Sequence, residues 1–178
     1  MSLILHIETA TQVCSAALSR DGVLLAEAVA ETEMSHASTL MPLIDELFKK
    51  QNILKEDLSA VSVSSGPGSY TGLRIGVSTA KGICYSLGIP LIAVGSLHSA
   101  ASAMKEISNA TGTDLLIPLI DARRMEAFAA IFDASLNELR EPHPWILDHS
   151  SLDEFSDRNI FLAGTGADKL KALYSSFS

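Results

Sequence analysis

The stretch SVSSGPGSYTGLRIG, residues 62–76, sets Gly66, Gly68 and Gly72 where an apolar run gives way to helical spacing. A phosphate-binding loop occupies such a place, because N–H groups at a helix start can receive an anion. The spacing excludes two specific forms. A Walker loop needs G-x-x-x-x-G-K-[ST], whereas Thr71 and Leu73 stand five positions beyond Gly66 and Gly68 and no Gly-Lys-Ser/Thr follows. A dinucleotide loop needs G-x-G-x-x-G and an acidic residue after the next strand, whereas that strand ends in Val94-Gly95-Ser96. Ser65, Ser69 and Tyr70 carry hydroxyls near the loop, but no G-x-S-x-G elbow supports a hydrolase. Two readings stay open: an anion at the helix start, or close packing. Gly72, Gly76, Thr79 and Ile83 share one helix edge along which another helix could approach closely, and the pattern favours this packing. Leu73, Val77 and Cys84 form an adjoining edge suited to the core, with Arg74 and Lys81 facing away.

The elements that position this loop follow from periodicity. SLILHI, QVCSAALS and VLLAEAVA read as three antiparallel strands, the last two joined by a tight Asp21-Gly22 turn. From Ser38 to about Gln51, Leu40, Leu43, Ile44, Leu47 and Phe48 recur at helical spacing, and Pro42 is expected in the first turn. LSAVSVSS is a strand, TGLRIGVSTAKGICYSL a helix ended by Gly88, PLIAV a strand, and LHSAASAMKEIS a helix capped by Ser96. After the turn-rich NATGTD the pattern starts again. LLIPLID, MEAFAAIFD and the WIL run are strand-like, SLDEF is a short helix, NIFLAG a strand and ADKLKALYSS a helix. The expected order is βββαβαβα followed by βββαβα, a repeat of topology. It predicts two similar domains, residues 1–110 and 111–178, the second lacking a last strand and helix. The expectation is that the chain is a shortened piece of a longer protein.

Composition limits the function classes. In 178 residues, 47% are hydrophobic and 19% charged, and the mean hydropathy is +0.26, so the chain has a core and is not disordered. A formal charge of -8 repels phosphate backbones from the average surface, which disfavours unaided nucleic-acid binding. Cys14 and Cys84 sit in apolar segments without C-x-x-C spacing and read as buried thiols in a reducing compartment. Residues 82–104 lack Asp, Glu, Lys and Arg and approach the length of a membrane span. Gly88, Pro90 and Gly95 divide that run into a helix end, a strand and a new helix. No membrane association is expected. The N-terminus has no basic region or small-residue cleavage site of a secretory signal, and the expected location is the cytoplasm.

SSGPGSYTGLRIGVSTAKGI resembles the signature stretch of the TsaB family, also called YeaZ, of the tRNA threonylcarbamoyladenosine machinery. LHIETAT, SHASTLMPLIDEL and LIPLIDARRMEAF are similar to that family's segments in the same order. The resemblance implies an α/β fold of the actin-like ATPase (ribonuclease H-like) class with a duplicated βββαβα unit, related to glycoprotease-like proteins. It also implies a role rather than a reaction: a non-catalytic scaffold or activator of a TsaD-like transferase that forms N6-threonylcarbamoyladenosine next to the anticodon. The partners implied are that transferase, a TsaE-like ATPase and a second copy in a dimer, with tRNA met only through the complex.

The resemblance directs attention to further residues. The catalytic relative binds metal through His-x-x-x-His, one face of a helix; here His36 is followed by Leu40, and no metal or other cofactor is expected. Actin-like ATPases place an acidic residue and a glycine turn after the first strand of each half. The corresponding turns are Glu8-Thr9-Ala10 and Asp121-Ala122-Arg123, without glycine. Glu8, Thr9, Gly66, Gly68, Asp121, Gly164 and Gly166 are therefore read as a vestigial nucleotide site, with no catalytic residue. Leu40, Ile44, Leu47 and Phe48 on one helix and Gly72, Gly76, Thr79 and Ile83 on the next are expected at the partner interface. The alternatives are an actin-like ATPase or sugar-kinase relative using Glu8 and Asp121, and a metallopeptidase-like protein.

Overall fold

A computed structural model describes residues 1–30 and 36–175 of the chain. Ser35, in a segment used for the family resemblance, and Ser176, in the expected last helix, lie outside the described residues. The chain divides into two units, Met1–Val94 and Gly95–Ser178.

The first unit contains β1 (Leu3–Glu8), β2 (Ser15–Arg20), β3 (Val23–Val29), α1 (His36–Gln51), β4 (Ala60–Ser64), α2 (Tyr70–Leu87) and β5 (Leu91–Val94). Its sheet has the order β3-β2-β1-β4-β5. β1 pairs antiparallel with β2 and parallel with β4, in register Ile4 to Ala60 through Ile7 to Val63. β4 lies between two parallel neighbours and is buried along its whole length, as a central parallel strand must be. Alternation sends Leu3, Leu5 and Ile7 of β1 to one face, where Leu40, Ile44, Leu47 and Phe48 of α1 and Ala80 and Cys84 of α2 complete the core. The β2–β3 turn is Asp21-Gly22, both residues at positive φ (49° and 81°), as expected for this pair. Gly88 ends α2 in the left-handed conformation, also as expected.

The second unit contains α3 (Ser96–Ile107), β6 (Leu115–Asp121), β7 (Glu126–Asp133), β8 (Glu138–Ile146), β9 (Ile160–Ala163) and α4 (Ala167–Ser175), with sheet order β8-β7-β6-β9. Period-two alternation partitions β6 between two cores. Leu115, Ile117 and Leu119 join Leu170 of α4 on one face, while Leu116 and Ile120 join Leu97, Ala101 and Met104 of α3 on the other.

Several expectations need correction. The division falls after Val94 rather than at residue 110, because α3 packs on β6 and β7. α1 begins at His36, so Pro42 lies inside the helix rather than in its first turn. Gly95, not Ser96, is the N-cap of α3, and no side chain caps it. β8 contains Trp145 and Ile146 of the WIL run but begins earlier, at Glu138, and passes through Pro142 and Pro144; prolines are tolerated there because β8 is an edge strand. Cys14 and Cys84 are buried free thiols, and burial raises both thiol pKa values. Among the described residues no helix is long and apolar enough to cross a membrane.

Candidate functional site: two closed glycine turns

Strand β1 delivers Glu8 to the sheet end where the loop after β4 enters α2. The Glu8 carboxylate is consumed locally: Oε1 accepts the Ala10 N–H at 2.6 Å and Oε2 accepts the Ser64 hydroxyl. The next residue, Thr9, is fully buried, and its Oγ1 has no hydrogen-bond partner among the described residues. The glycine stretch folds over it. A Cβ at Gly68 would stand 2.3 Å from the Ala10 carbonyl oxygen, one at Gly72 2.1 Å from the Thr9 carbonyl oxygen, and one at Gly76 2.2 Å from Thr9 Oγ1. Gly66, at φ 104°, supplies the turn a side chain would disfavour. The Ser69 N–H donates to the Ala10 carbonyl at 2.7 Å, and the Ser69 hydroxyl accepts the Gly72 N–H at 3.2 Å and caps α2. The glycines thus seat the chain's own turn after β1 against the loop and the first turns of α2.

The close-packing reading holds, and the nearest neighbour is the turn after β1, with His36 at the start of α1 also beside Gly72. The expected interface changes accordingly. Gly72 and Gly76 are buried in this contact, and Leu40, Ile44, Leu47 and Phe48 are buried in the core of the first unit. These six positions are not open surface on the described chain. Thr79 and Ile83 remain partly exposed.

The second unit builds a corresponding turn. Asp121, at the end of β6, accepts the Arg123 N–H at 2.6 Å and the Lys169 ammonium at 2.6 Å on the same Oδ1. The Lys169 side chain, only 16% exposed, holds the Asp121 pKa below the ordinary carboxylate value, with the Arg123 N–H adding to the effect. Lys169 also donates to the Glu126 carbonyl at 2.8 Å. Gly164, at φ 102°, presses on the backbone of Leu119, where a Cβ would meet the carbonyl oxygen at 2.3 Å. The Gly166 N–H donates to that carbonyl at 3.0 Å, and Thr165 Oγ1 accepts the Asp121 N–H at 3.0 Å. Glu8, Thr9, Gly66 and Gly68 therefore gather in one unit, and Asp121, Gly164 and Gly166 in the other, each around a filled turn.

The donor set does not fit the transferase metal. His36 opens α1, and its Nε2 lies 2.9 Å from the Thr11 carbonyl; since a carbonyl only accepts, this nitrogen carries the proton and donates. Leu40, one turn on, is buried hydrocarbon. No group of three or more His, Cys, Asp or Glu with metal-binding geometry occurs among the described residues. The partners Ser64 and Lys169 were not singled out from the sequence. They lie 56 and 48 residues from their carboxylates, and only the parallel pairing of β1 with β4 and β6 with β9 brings them near.

A family model described as "TsaD: tRNA N6-adenosine threonylcarbamoyltransferase" matches residues 24–141. The chain is 32% identical over 160 residues to the Bacillus subtilis "tRNA threonylcarbamoyladenosine biosynthesis protein TsaB", covering 90% of this chain and 62% of that protein. It is 31% identical over 134 residues to the Escherichia coli protein of the same name, covering 75% and 56%. The chain thus spans less than two thirds of the length of these relatives. Among solved structures, YeaZ from Pseudomonas aeruginosa matches with a TM-score of 0.76 at 20% identity, over 99% of this chain and 92% of that one, a likeness of fold. Taken together, the family model and the named relatives establish that the chain belongs to the TsaB (YeaZ) family, related to the TsaD transferases.

Proposed function

We propose that this chain is a non-catalytic subunit in the formation of N6-threonylcarbamoyladenosine on tRNA, acting as scaffold or activator of a TsaD-like transferase. Its relatives carry the name of that pathway. The observation that carries the non-catalytic part is the pair of filled turns: Gly68 and Gly72 abut the main chain of Ala10 and Thr9, and Gly164 abuts Leu119. ATPase and kinase readings need backbone free to approach phosphate, and a metallopeptidase reading needs a second ligand beside His36. Neither is favoured by these residues.

The chain's contribution is differential binding, in which contact with the active arrangement of the transferase shifts that partner's population. A TsaE-like ATPase joins the same assembly in the cytoplasm, a second copy of this chain is an alternative occupant of the partner surface, and tRNA is met through the complex. The similar sheet orders of the two units are read as a duplicated ribonuclease H-like fold. The partner surface is assigned to the outer sides of α1 and α2, around Met41, which is 42% exposed, and the partly exposed Thr79 and Ile83. The buried residues of both helices support this surface from beneath. Co-elution of the purified chain with a TsaD-like transferase tests the reading. The unsubstituted chain co-elutes, while Met41→Glu combined with Thr79→Arg remains folded by circular dichroism and elutes alone; co-elution retained by that variant overturns the interface assignment.

A further inference from the structure

The β6–β7 turn contains Arg123 and Arg124 at φ 70° and 45°, consecutive residues in the left-handed region. Such a pair is the place for Asn-Gly or Asp-Gly, and the same molecule uses Asp21-Gly22 at β2–β3. Arginine gains nothing there from backbone preference, and a strained conformation at an exposed position points to a role for the side chain. The turn is held from within. Ala122 N–H donates to the Glu126 carbonyl and Glu126 N–H to the Arg123 carbonyl, both at 3.1 Å, while the Met125 carbonyl accepts the Leu147 N–H at 2.7 Å. Lys169 bridges Asp121 and Glu126, tying the two stems together. Both arginines are exposed, and neither guanidinium forms an ion pair or a hydrogen bond with a described residue.

We propose that Arg123 and Arg124 contact the phosphate backbone of RNA, which in the reading above is the tRNA carried by the complex. This inference rests on that reading. Two adjacent guanidinium forks, each with five N–H donors, match phosphate oxygens in geometry and charge. Their fixed presentation matters more on a chain of formal charge -8, whose average surface repels a polyanion. A protein partner is the less suitable occupant, because an interface hot spot needs a buried anchor and only Met125, 43% exposed, adjoins the pair.

The test uses the assembled complex with the TsaD-like transferase and unmodified tRNA, with binding measured across a salt series. Arg123→Gly combined with Arg124→Gly places glycine where the backbone already favours it, so Tm is unchanged or raised. tRNA affinity falls by about tenfold, and the slope of log K against log salt falls in magnitude by about 2. Arg123→Lys with Arg124→Lys keeps the charges and most of the slope, and the charge-matched control Arg20→Ala with Arg158→Ala leaves tRNA binding unchanged. Unaltered binding by the glycine variant overturns the assignment, as does an equal loss in the control. Loss of co-elution in the glycine variant also overturns it, assigning the turn to a protein contact. If the unsubstituted chain neither co-elutes with the transferase nor stimulates it, the functional reading fails first and this inference with it.

Discussion

Thr9 and the glycines over it show how a side chain's absence can do structural work. Gly76 and Gly82 both lie within α2, where glycine costs helix stability relative to alanine. Their surroundings differ: a Cβ at Gly76 would stand 2.2 Å from Thr9 Oγ1, while nothing lies within 4 Å of one at Gly82. The same substitution is therefore expected to have opposite signs. Gly76→Ala destabilises by about 1–3 kcal/mol through overpacking, and Gly82→Ala stabilises by about 0.5–1 kcal/mol through helix propensity. Urea titration of both variants checks this, and equal effects would contradict the close contact. The glycine spacing made a close approach legible in the sequence. It did not reveal what approached, because Thr9 is more than fifty residues away and reaches α2 only through the parallel pairing of β1 with β4.

Elements were the most legible level wherever one periodicity dominated. β1, α2 and β6 fall close to where their apolar spacing places them, and Asp21-Gly22 and Gly88 punctuate the chain as their backbone freedom dictates. Where two signals competed, the sequence misled. Pro142 and Pro144 hid most of β8, since proline argues against a strand unless the strand is known to be an edge. The apolar arc of α1 is broad because the helix packs on β2 and β3 and also beside α2, a second neighbour that its spacing alone does not identify. The assignment of α3 depends on contacts that spacing cannot rank. Leu97 is fully buried in the core shared with β6 and β7, so Leu97→Ala is expected to cost about 2–5 kcal/mol. Hydrogen exchange should then accelerate in the amides of β6 and β7 while those of β1 and β2 keep their protection. The reverse pattern would return α3 to the first unit.

Across the whole molecule, the two sheet orders, β3-β2-β1-β4-β5 and β8-β7-β6-β9, place an acidic strand end beside a glycine turn in each unit. That pairing was legible from Glu8, Asp121 and the glycine motifs. The filling of both turns by main chain was not, because it depends on which carbonyl each glycine meets. In each unit the strand-end acid is taken up within the chain, by Ser64 in one unit and by Lys169 in the other. The chain's proposed contribution to chemistry is then made through a partner. The most direct test is reconstituted threonylcarbamoylation of tRNA by a TsaD-like transferase with its adenylate substrate and TsaE-like ATPase, with and without this chain. Product formation should require the chain, none should come from the chain without the transferase, and a folded Glu8→Gln variant should keep full activity. Product formed by the chain without the transferase, or loss of activity in a folded Glu8→Gln variant that still co-elutes with the transferase, would contradict the proposed role.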